Sequence, residues 1–464
     1  MSDGAALFSA FITSFFIRER ILPHIFSGFD RRPVPLSIQL EAGFLLGALI
    51  VILVFAFEKL YIKRFTFWEE VRHLFRGITL SFVLLMMIVF ITRGYEQYSR
   101  AVLVMTWLFG LLFFPVFRLA SKKLLVRLNL WKKKVFIIGT SDIGQCVALE
   151  IDNNDTLGYE IAGFLTDDRK LVGTDVGRYK VVGEISEFEN LSRSSGVRDL
   201  IVALSHISQD KLFKILTQFE NSAENIRIIP RLGNVFTMGV ETESFGDVLS
   251  LSVARNLTKP WNKFIKCIFE FTLALILTVI LLPLLIIIAI SIKLSSPGPI
   301  FFAQERMGEG NKTFKCYKFR SMYMDSEIRL EKYLQKNPGA LGEWKKYRKL
   351  KKNDPRVTRV GRIIRKFSLD ELPQLINFFR KEMNLVGPRP YMPEEKNLMG
   401  NSYEVISRVK PGITGLWQVR GRNILSFKER LLLDEYYIRN WSLWLDIVIL
   451  IKTVKVLITR QGAY

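Results

Sequence analysis

Residues 264–294 read FIKCIFEFTLALILTVILLPLLIIIAISIKL, a nearly unbroken apolar run with Pro283 close to its middle. A straight helix of about 30 residues would be roughly 45 Å long, well beyond the ~30 Å hydrocarbon core of a bilayer. Lys259, Lys263 and Lys266 stand at its start, and Lys293 precedes a strongly basic region at its end. Positive charge on both flanks disfavours crossing, because one flank would then be exported. Proline removes a ladder hydrogen bond and kinks a helix. The segment is therefore expected to enter the membrane, break at Pro283 and return, with both ends on the cytoplasmic side. A tilted, kinked spanning helix is the alternative.

Upstream, apolar segments lie near residues 5–17, 38–57, 77–92 and 101–119. The second and fourth approach the ~20 residues a spanning helix needs. The first lacks the basic start and small-residue cleavage site of a signal peptide. After the fourth come Arg118, Lys122, Lys123, Arg127, Lys132, Lys133 and Lys134. The excess places that end in the cytoplasm, and four spans place the N-terminus there too. Arg18, Arg20, Arg31 and Arg32 in the first loop pull the other way.

Residues 134–250 change character. Val135–Ile138 reads as a buried strand, Gly139–Thr140–Ser141–Asp142–Ile143–Gly144 as a turn into a helix, and Ile161–Leu165 as a second strand ending at Asp167–Asp168. That order starts a βαβ unit. The glycine pattern carries Ser141 in place of its middle glycine, and Asp167 falls near where a ribose-binding acid is expected. The motif is incomplete, and no Tyr-x-x-x-Lys pair occurs in 134–250. A nucleotide-fold domain used as a structural or regulatory module fits best. The expected fold class is a membrane α-helical bundle (1–120), a cytoplasmic α/β Rossmann-like domain (134–250) and a mainly α-helical catalytic domain anchored by a re-entrant membrane helix (257–464).

The chemistry concentrates in KFSLDELPQLINFFRKEMNLVGPRP, residues 366–390. Asp370 and Glu371 form an adjacent carboxylate pair before a predicted helix, and Arg389 is clamped between Pro388 and Pro390. Ser368 with Glu371 also matches a capping box. Pro373 argues against it, since its missing donor is tolerated only if the helix starts nearer Asp370. Asp370 would then sit at a helix N-terminus, which favours an ionised carboxylate able to attack phosphorus or hold Mg²⁺. Arg389 springs from a backbone fixed by both prolines, as phosphate recognition requires. Strand-like alternation over 313–321 puts Lys318 and Arg320 on one face, a second candidate phosphate contact. Arg356, Arg359, Arg362 and Arg365 recur every three residues up to the acid pair. The stretch EWKKYRKLKK, 343–352, interleaves Trp344, Tyr347 and Leu350 with lysines, as suits a helix on anionic membrane lipid.

The whole chain has 464 residues, 49% hydrophobic, with a net charge of +22. Residues 261–464 hold 36 Lys and Arg against 18 Asp and Glu, and no histidine. A basic surface beside apolar runs suggests anionic lipid, polyphosphate substrates, or both. Nucleic acid is disfavoured, because no recognition motif is present. Cys146, Cys267 and Cys316 are widely spaced and imply neither disulfides nor zinc. With no histidine in the C-terminal part, carboxylates are the default catalytic groups.

The stretches KLSSPGPIFFAQERMG, YKFRSM, NDPRVTRVGRIIRKFSLDELPQL, LVGPRP and KPGITGLWQVRGRN resemble the polyprenyl-phosphate hexose-1-phosphate transferases, the large monotopic phosphoglycosyl transferases of bacteria. The resemblance implies transfer of a hexose 1-phosphate from a UDP-hexose to undecaprenyl phosphate with Mg²⁺, at the bacterial inner membrane. It implies a phosphosugar carried on Asp370, with Glu371 positioning the metal or assisting proton transfer. Lys318, Arg320, Arg365 and Arg389 would contact phosphates. GLWQVRGRN and the ending GAY are more similar to galactose-1-phosphate than to glucose-1-phosphate transferases, and a homodimer is compatible with the family. The competing reading is a non-catalytic, nucleotide-sensing membrane scaffold for envelope polysaccharide assembly, which would have no need of the acid pair or the proline clamp.

Overall fold

The longer helices described at the start of the computed structural model are α1 (Ser2–Arg20), α2 (Leu45–Phe57), α3 (Phe67–Ile91) and α4 (Arg100–Arg127). The structure describes residues 2–26, 44–92, 99–204, 215, 217–219, 222–229, 240–245, 248–253, 257, 259–347, 350, 354–421 and 425–459. Arg31, Arg32, most of the basic end of 343–352, and Arg422–Asn423 lie outside them. The chain divides into two compact bodies, Met1–Gly233 and Asn234–Tyr464.

In the first body the third apolar segment, expected to be short, lies in the 25-residue α3, and the start of the second, before residue 44, lies outside the described residues. A capping box of Thr66 and Glu69 starts α3 ten residues before the apolar run. Both α3 and α4 are long and apolar enough to cross a membrane. Phe55, Leu74, Ile78 and Phe114 form the bundle core. Arg118 is buried and pairs with Asp3 at 2.6 Å and Glu70 at 3.1 Å, and Lys122 reaches Glu70 at 2.8 Å. Two members of the expected basic cluster are thus neutralised inside the bundle.

The α/β part follows as β1 (Lys133–Ile138), α5 (Asp142–Asp152), β2 (Tyr159–Thr166), β3 (Asp175–Val176), β4 (Tyr179–Glu184), α6 (Phe188–Ser195), β5 (Asp199–Val202) and β6 (Asn225–Ile228). The sheet order is β3-β4-β2-β1-β5-β6, parallel except at the β3 edge. Order reverses between β1 and β5, where a doubly wound sheet offers its crevice. At this turn Gly139 has φ +109°, and a Cβ on it would lie 2.5 Å from the Ala203 carbonyl oxygen. A Cβ on Gly144 would lie 2.0 Å from the Gly139 carbonyl. Both glycines are required by backbone packing, whatever else the turn does. Arg64, between α2 and α3, donates to the Trp131 and Leu157 carbonyls and stacks over Trp131 and Tyr159, tying bundle to sheet.

The sheet ends at Ile228, and a hairpin of β7 (Val240–Phe245) and β8 (Val248–Val253) falls in the second body. Next comes α7 (Pro260–Ser295), one 36-residue helix with Pro283 inside it. The expected break at Pro283 does not divide it into two helices. Yet both of its ends pack on the same body: Leu273 and Ala274 join the core of Leu385, Tyr437 and Trp441, while Ile288 and Ile292 join Phe319 and Ile364. A buried network fixes the first end. Lys266 lies 2.6 Å from Glu270, 2.7 Å from Asp446 and 3.0 Å from the Tyr437 hydroxyl, and Glu270 accepts the Val386 N–H at 2.9 Å.

The longer helices and the strands that follow are β9 (Phe301–Met307), β10 (Thr313–Phe319), α8 (Ser326–Lys336), α9 (Pro338–Tyr347), α10 (Arg359–Lys366), α11 (Gln374–Phe379), β11 (Asn384–Val386), β12 (Gly412–Thr414), α12 (Phe427–Arg439) and α13 (Leu443–Thr459). Helices surround two small sheets, β9–β10 antiparallel and β11–β12 parallel.

Candidate active site

Three elements bring the acid pair to its cations. α10 is docked by its own sequence: a Cβ on Gly361 would lie 2.0 Å from the Ser321 carbonyl oxygen, so only glycine permits this approach. Thr358 caps the helix through the Gly361 N–H, and Arg365 Nε donates to Ser321 Oγ at 2.8 Å. The chain then turns at Ser368, a non-glycine residue at φ 55°, and forms a single 3₁₀ turn over Leu369–Glu371. Left-handed backbone at such a residue costs of order 1 kcal/mol and recurs at functional sites. Beyond Pro373, α11 is pinned to β10 by the buried Asn377. Its Oδ1 accepts the Tyr317 N–H at 3.0 Å and its Nδ2 donates to the Lys315 carbonyl at 2.7 Å.

Lys318 Nζ consequently lies 2.6 Å from Glu371 Oε1. Ser368 makes no side-chain cap, so Glu371 belongs to this ion pair and not to a capping box. Burial pushes the Asp370 carboxyl up to about 6, Glu371 adds to the rise, and Lys318 and Arg365 oppose it. Burial lowers the Lys318 ammonium, but Glu371 and Asp370 outweigh it and the net shift is upward. Burial draws Arg365 down, against Asp370 and Asp354. The expected helix N-terminus is corrected here. Asp370 lies in a 3₁₀ turn ahead of the six-residue α11, and its positive surroundings are side chains. Leu369 and Leu372, on either side of the pair, pack against the cluster that Ile288 and Ile292 of α7 form with Phe319 and Ile364. The carboxylates thus open beside the apolar helix.

Arg320 is corrected as well. β10 ends at Phe319, and the Arg320 guanidinium turns back to donate to the Ser296 and Pro297 carbonyls, each at 2.7 Å. Gly298, at φ +122°, leaves the room it fills, since a Cβ there would sit 2.0 Å from Arg320 Nη1. Arg320 therefore locks the turn leaving α7. Of the arginine series, Arg356 pairs with Asp354 at 2.6 Å, Arg359 and Arg362 are exposed, and Arg365 alone acts on Asp370.

Arg389 forms a second centre. Its backbone N–H donates to Asp434 Oδ2 at 3.1 Å, and its guanidinium lies over Trp417 at 5.3 Å and Tyr391 at 5.7 Å. The clamp is held from both sides: the Pro388 carbonyl accepts from Gly412 N–H at 2.8 Å and the Pro390 carbonyl from Arg306 Nη1 at 3.2 Å. The motifs did not single out Arg306, Asp434 or Asn377. Arg306 feels both Arg389 and Glu371 and so links the centres, with burial the main force lowering its pKa. Asp434 is fully buried, which raises its carboxyl to about 7, and it also accepts from the Tyr391 hydroxyl at 2.8 Å. Strand alternation in FFAQERM carries the signal for Arg306; Asp434 and Asn377 have none in their neighbourhood.

Cys316 is buried and burial pushes its thiol up, which disfavours a thiolate nucleophile. Among the described residues no three His, Cys, Asp or Glu converge as a metal cluster. Two adjacent carboxylates suit Mg²⁺ nonetheless, since it takes one or two carboxylates and completes its shell from water and substrate phosphate.

Residues 261–460 match the bacterial sugar transferase family, and residues 62–230 match a CoA-binding domain family. The chain is 34% identical over 407 residues to the undecaprenyl-phosphate galactose phosphotransferase of Salmonella typhimurium, covering 87% of this chain and 84% of that one. It is 36% identical over 409 residues to the UDP-galactose-lipid carrier transferase of Erwinia amylovora, with the same coverage. The exopolysaccharide production protein ExoY of Sinorhizobium fredii is 42% identical over 206 residues, 44% of this chain and 91% of its own length. With its acid pair set beside an apolar helix, the chain is a membrane-associated transferase and belongs to the bacterial sugar transferases, the family of polyprenyl-phosphate hexose-1-phosphate transferases.

Proposed function

We propose that this chain transfers hexose 1-phosphate from a UDP-hexose to undecaprenyl phosphate, releasing UMP, as the first membrane step of polysaccharide or O-antigen synthesis. The observation that carries the reading is the Asp370–Glu371 pair, flanked by Lys318 and Arg365 and set against α7. A soluble sugar nucleotide and a lipid phosphate meet best at such a boundary.

In the first half-reaction an Asp370 carboxylate oxygen attacks the phosphorus that bears the sugar. A new O–P bond forms, the bond to the bridging oxygen breaks, and UMP leaves. In the second, a phosphate oxygen of the lipid attacks the same phosphorus, Asp370 leaves as carboxylate, and the lipid diphosphosugar departs. Two steps keep the two anionic substrates from having to meet each other directly. Lys318, Arg365 and Arg389 neutralise phosphate charge, while Arg320 acts through the turn it locks. Asp370 and Glu371 would hold Mg²⁺, which supplies charge neutralisation to the diphosphate when bound. Galactose is favoured over glucose, in line with the two galactose-handling relatives. The site would face the cytoplasm of a bacterial inner membrane, with α7 re-entrant. The α/β domain stands outside the chemistry, and the placement of the acid pair and Arg389 within Asn234–Tyr464 supports that reading.

Incubation with a UDP-hexose labelled in its sugar, without lipid acceptor, is expected to leave label on the wild-type chain and none on Asp370→Asn. Turnover should fall by about 10³-fold or more in that variant. Equal labelling, or near-normal turnover, would move the reading to direct displacement. A panel of UDP-hexoses in the same assay reads the sugar.

A further inference from the structure

A cavity of about 360 Å³ lies in the second body where α7 begins, apart from the acid pair. Lys263, Cys267 and Phe271 line it from one face of α7, and Phe379, Lys381 and Lys410 from across. Phe379 ends α11, whereas Asp370 precedes its start. Phe271 and Phe379 meet edge to face, with ring centroids 6.2 Å apart, and form an apolar wall. On the outer side of the same turn of α7, Trp261 and Phe264 stack at 5.7 Å and are 69% and 54% exposed. Exposed aromatics at the start of an apolar helix mark the headgroup level of a bilayer.

The cavity is also positive. Glu309, 3.5 Å from Lys263, is one carboxylate on its wall. The other, Glu270, is engaged by Lys266 and the Val386 N–H. Lys381 stands at φ 62°, just past the end of α11, a position that favours glycine or asparagine. A lysine kept there carries its charge to the cavity at a conformational cost.

We propose that this cavity is a binding site for the headgroup of an anionic phospholipid, with the phosphate between Lys263, Lys381 and Lys410 and the upper chain against Phe271 and Phe379. The site rests on the membrane placement of α7 and is separate from the transfer chemistry. Its occupant would fix the depth at which α7 enters the bilayer.

The test uses the full chain in nanodiscs of phosphatidylcholine with phosphatidylglycerol, followed by native mass spectrometry. Wild type is expected to retain a phosphatidylglycerol after the bilayer is stripped. Lys263→Gln/Lys381→Gln should retain about tenfold less, and Lys332→Gln, exposed on α8, as much as wild type. Inorganic phosphate in excess should not displace the lipid. Equal retention in the double variant, an equal loss in Lys332→Gln, or displacement by phosphate alone would overturn the proposal. UMP release from the same samples reads the transfer reaction independently.

Discussion

Asp370 is held where burial and Glu371 favour its protonated form, with a folded pKa of about 6 against 3.8 for the free side chain. A carboxyl raised in this way adds stability fully only below the unfolded value, and that stability is lost as pH rises through the folded value. At pH 7.5 the wild type therefore bears an unfavourable buried charge. Asp370→Asn should melt higher than wild type at pH 7.5, and scanning fluorimetry should find the difference gone near pH 4. Activity runs the opposite way, because attack needs the carboxylate. The labelling half-reaction should therefore weaken as pH falls and Asp370 takes up its proton. Asp434 works at one remove, through the Arg389 N–H and the Tyr391 hydroxyl. Asp434→Ala leaves both donors unpaired, at about 1–3 kcal/mol each. KM for the sugar nucleotide should rise more than kcat falls, and Asp434→Asn, which keeps an acceptor, should recover most of the loss.

Among the elements, α7 carries the strongest expectation. Its first end is tied by Lys266, Glu270 and Asp446 and its last by Ile288 and Ile292, both within one body. A straight helix of 36 residues would hold its ends about 54 Å apart. The re-entrant placement proposed above requires both ends of α7 to lie on the same side of the membrane. Single cysteines near residues 260 and 297, in a cysteine-free background, should label only from the cytoplasmic side. Labelling of either from outside would exclude the re-entrant reading. Arg320, bonded across the Ser296–Pro297 turn, explains how the exit from α7 is held against β10.

At the scale of the molecule, the acid pair, the arginine clamp and the polar network of α7 all lie within Asn234–Tyr464. A chain beginning at Leu257 should insert in membranes and release UMP from a UDP-hexose, with reduced thermal stability. A folded, membrane-inserted piece without activity would assign the first body a part in the reaction.

The sequence alone determined what is local. Hydropathy gave the apolar helices, a continuous apolar run gave Val135–Ile138, alternation gave β10, and residue type gave a carboxylate chemistry with no histidine available. Its reading of Lys318 and Arg320 as one cationic face failed because the pleat ends at Phe319, so Arg320 was free to turn elsewhere. Its long apolar run hid the start of α3, where a polar capping box sets the boundary ahead of the hydrophobic residues. Only the tertiary structure decided which cations face Asp370. Asn377 holds Tyr317 across 60 positions and Asp434 holds Arg389 across 45. Periodicity within one element carries no information at such separations, because these contacts exist only once packing brings distant elements together.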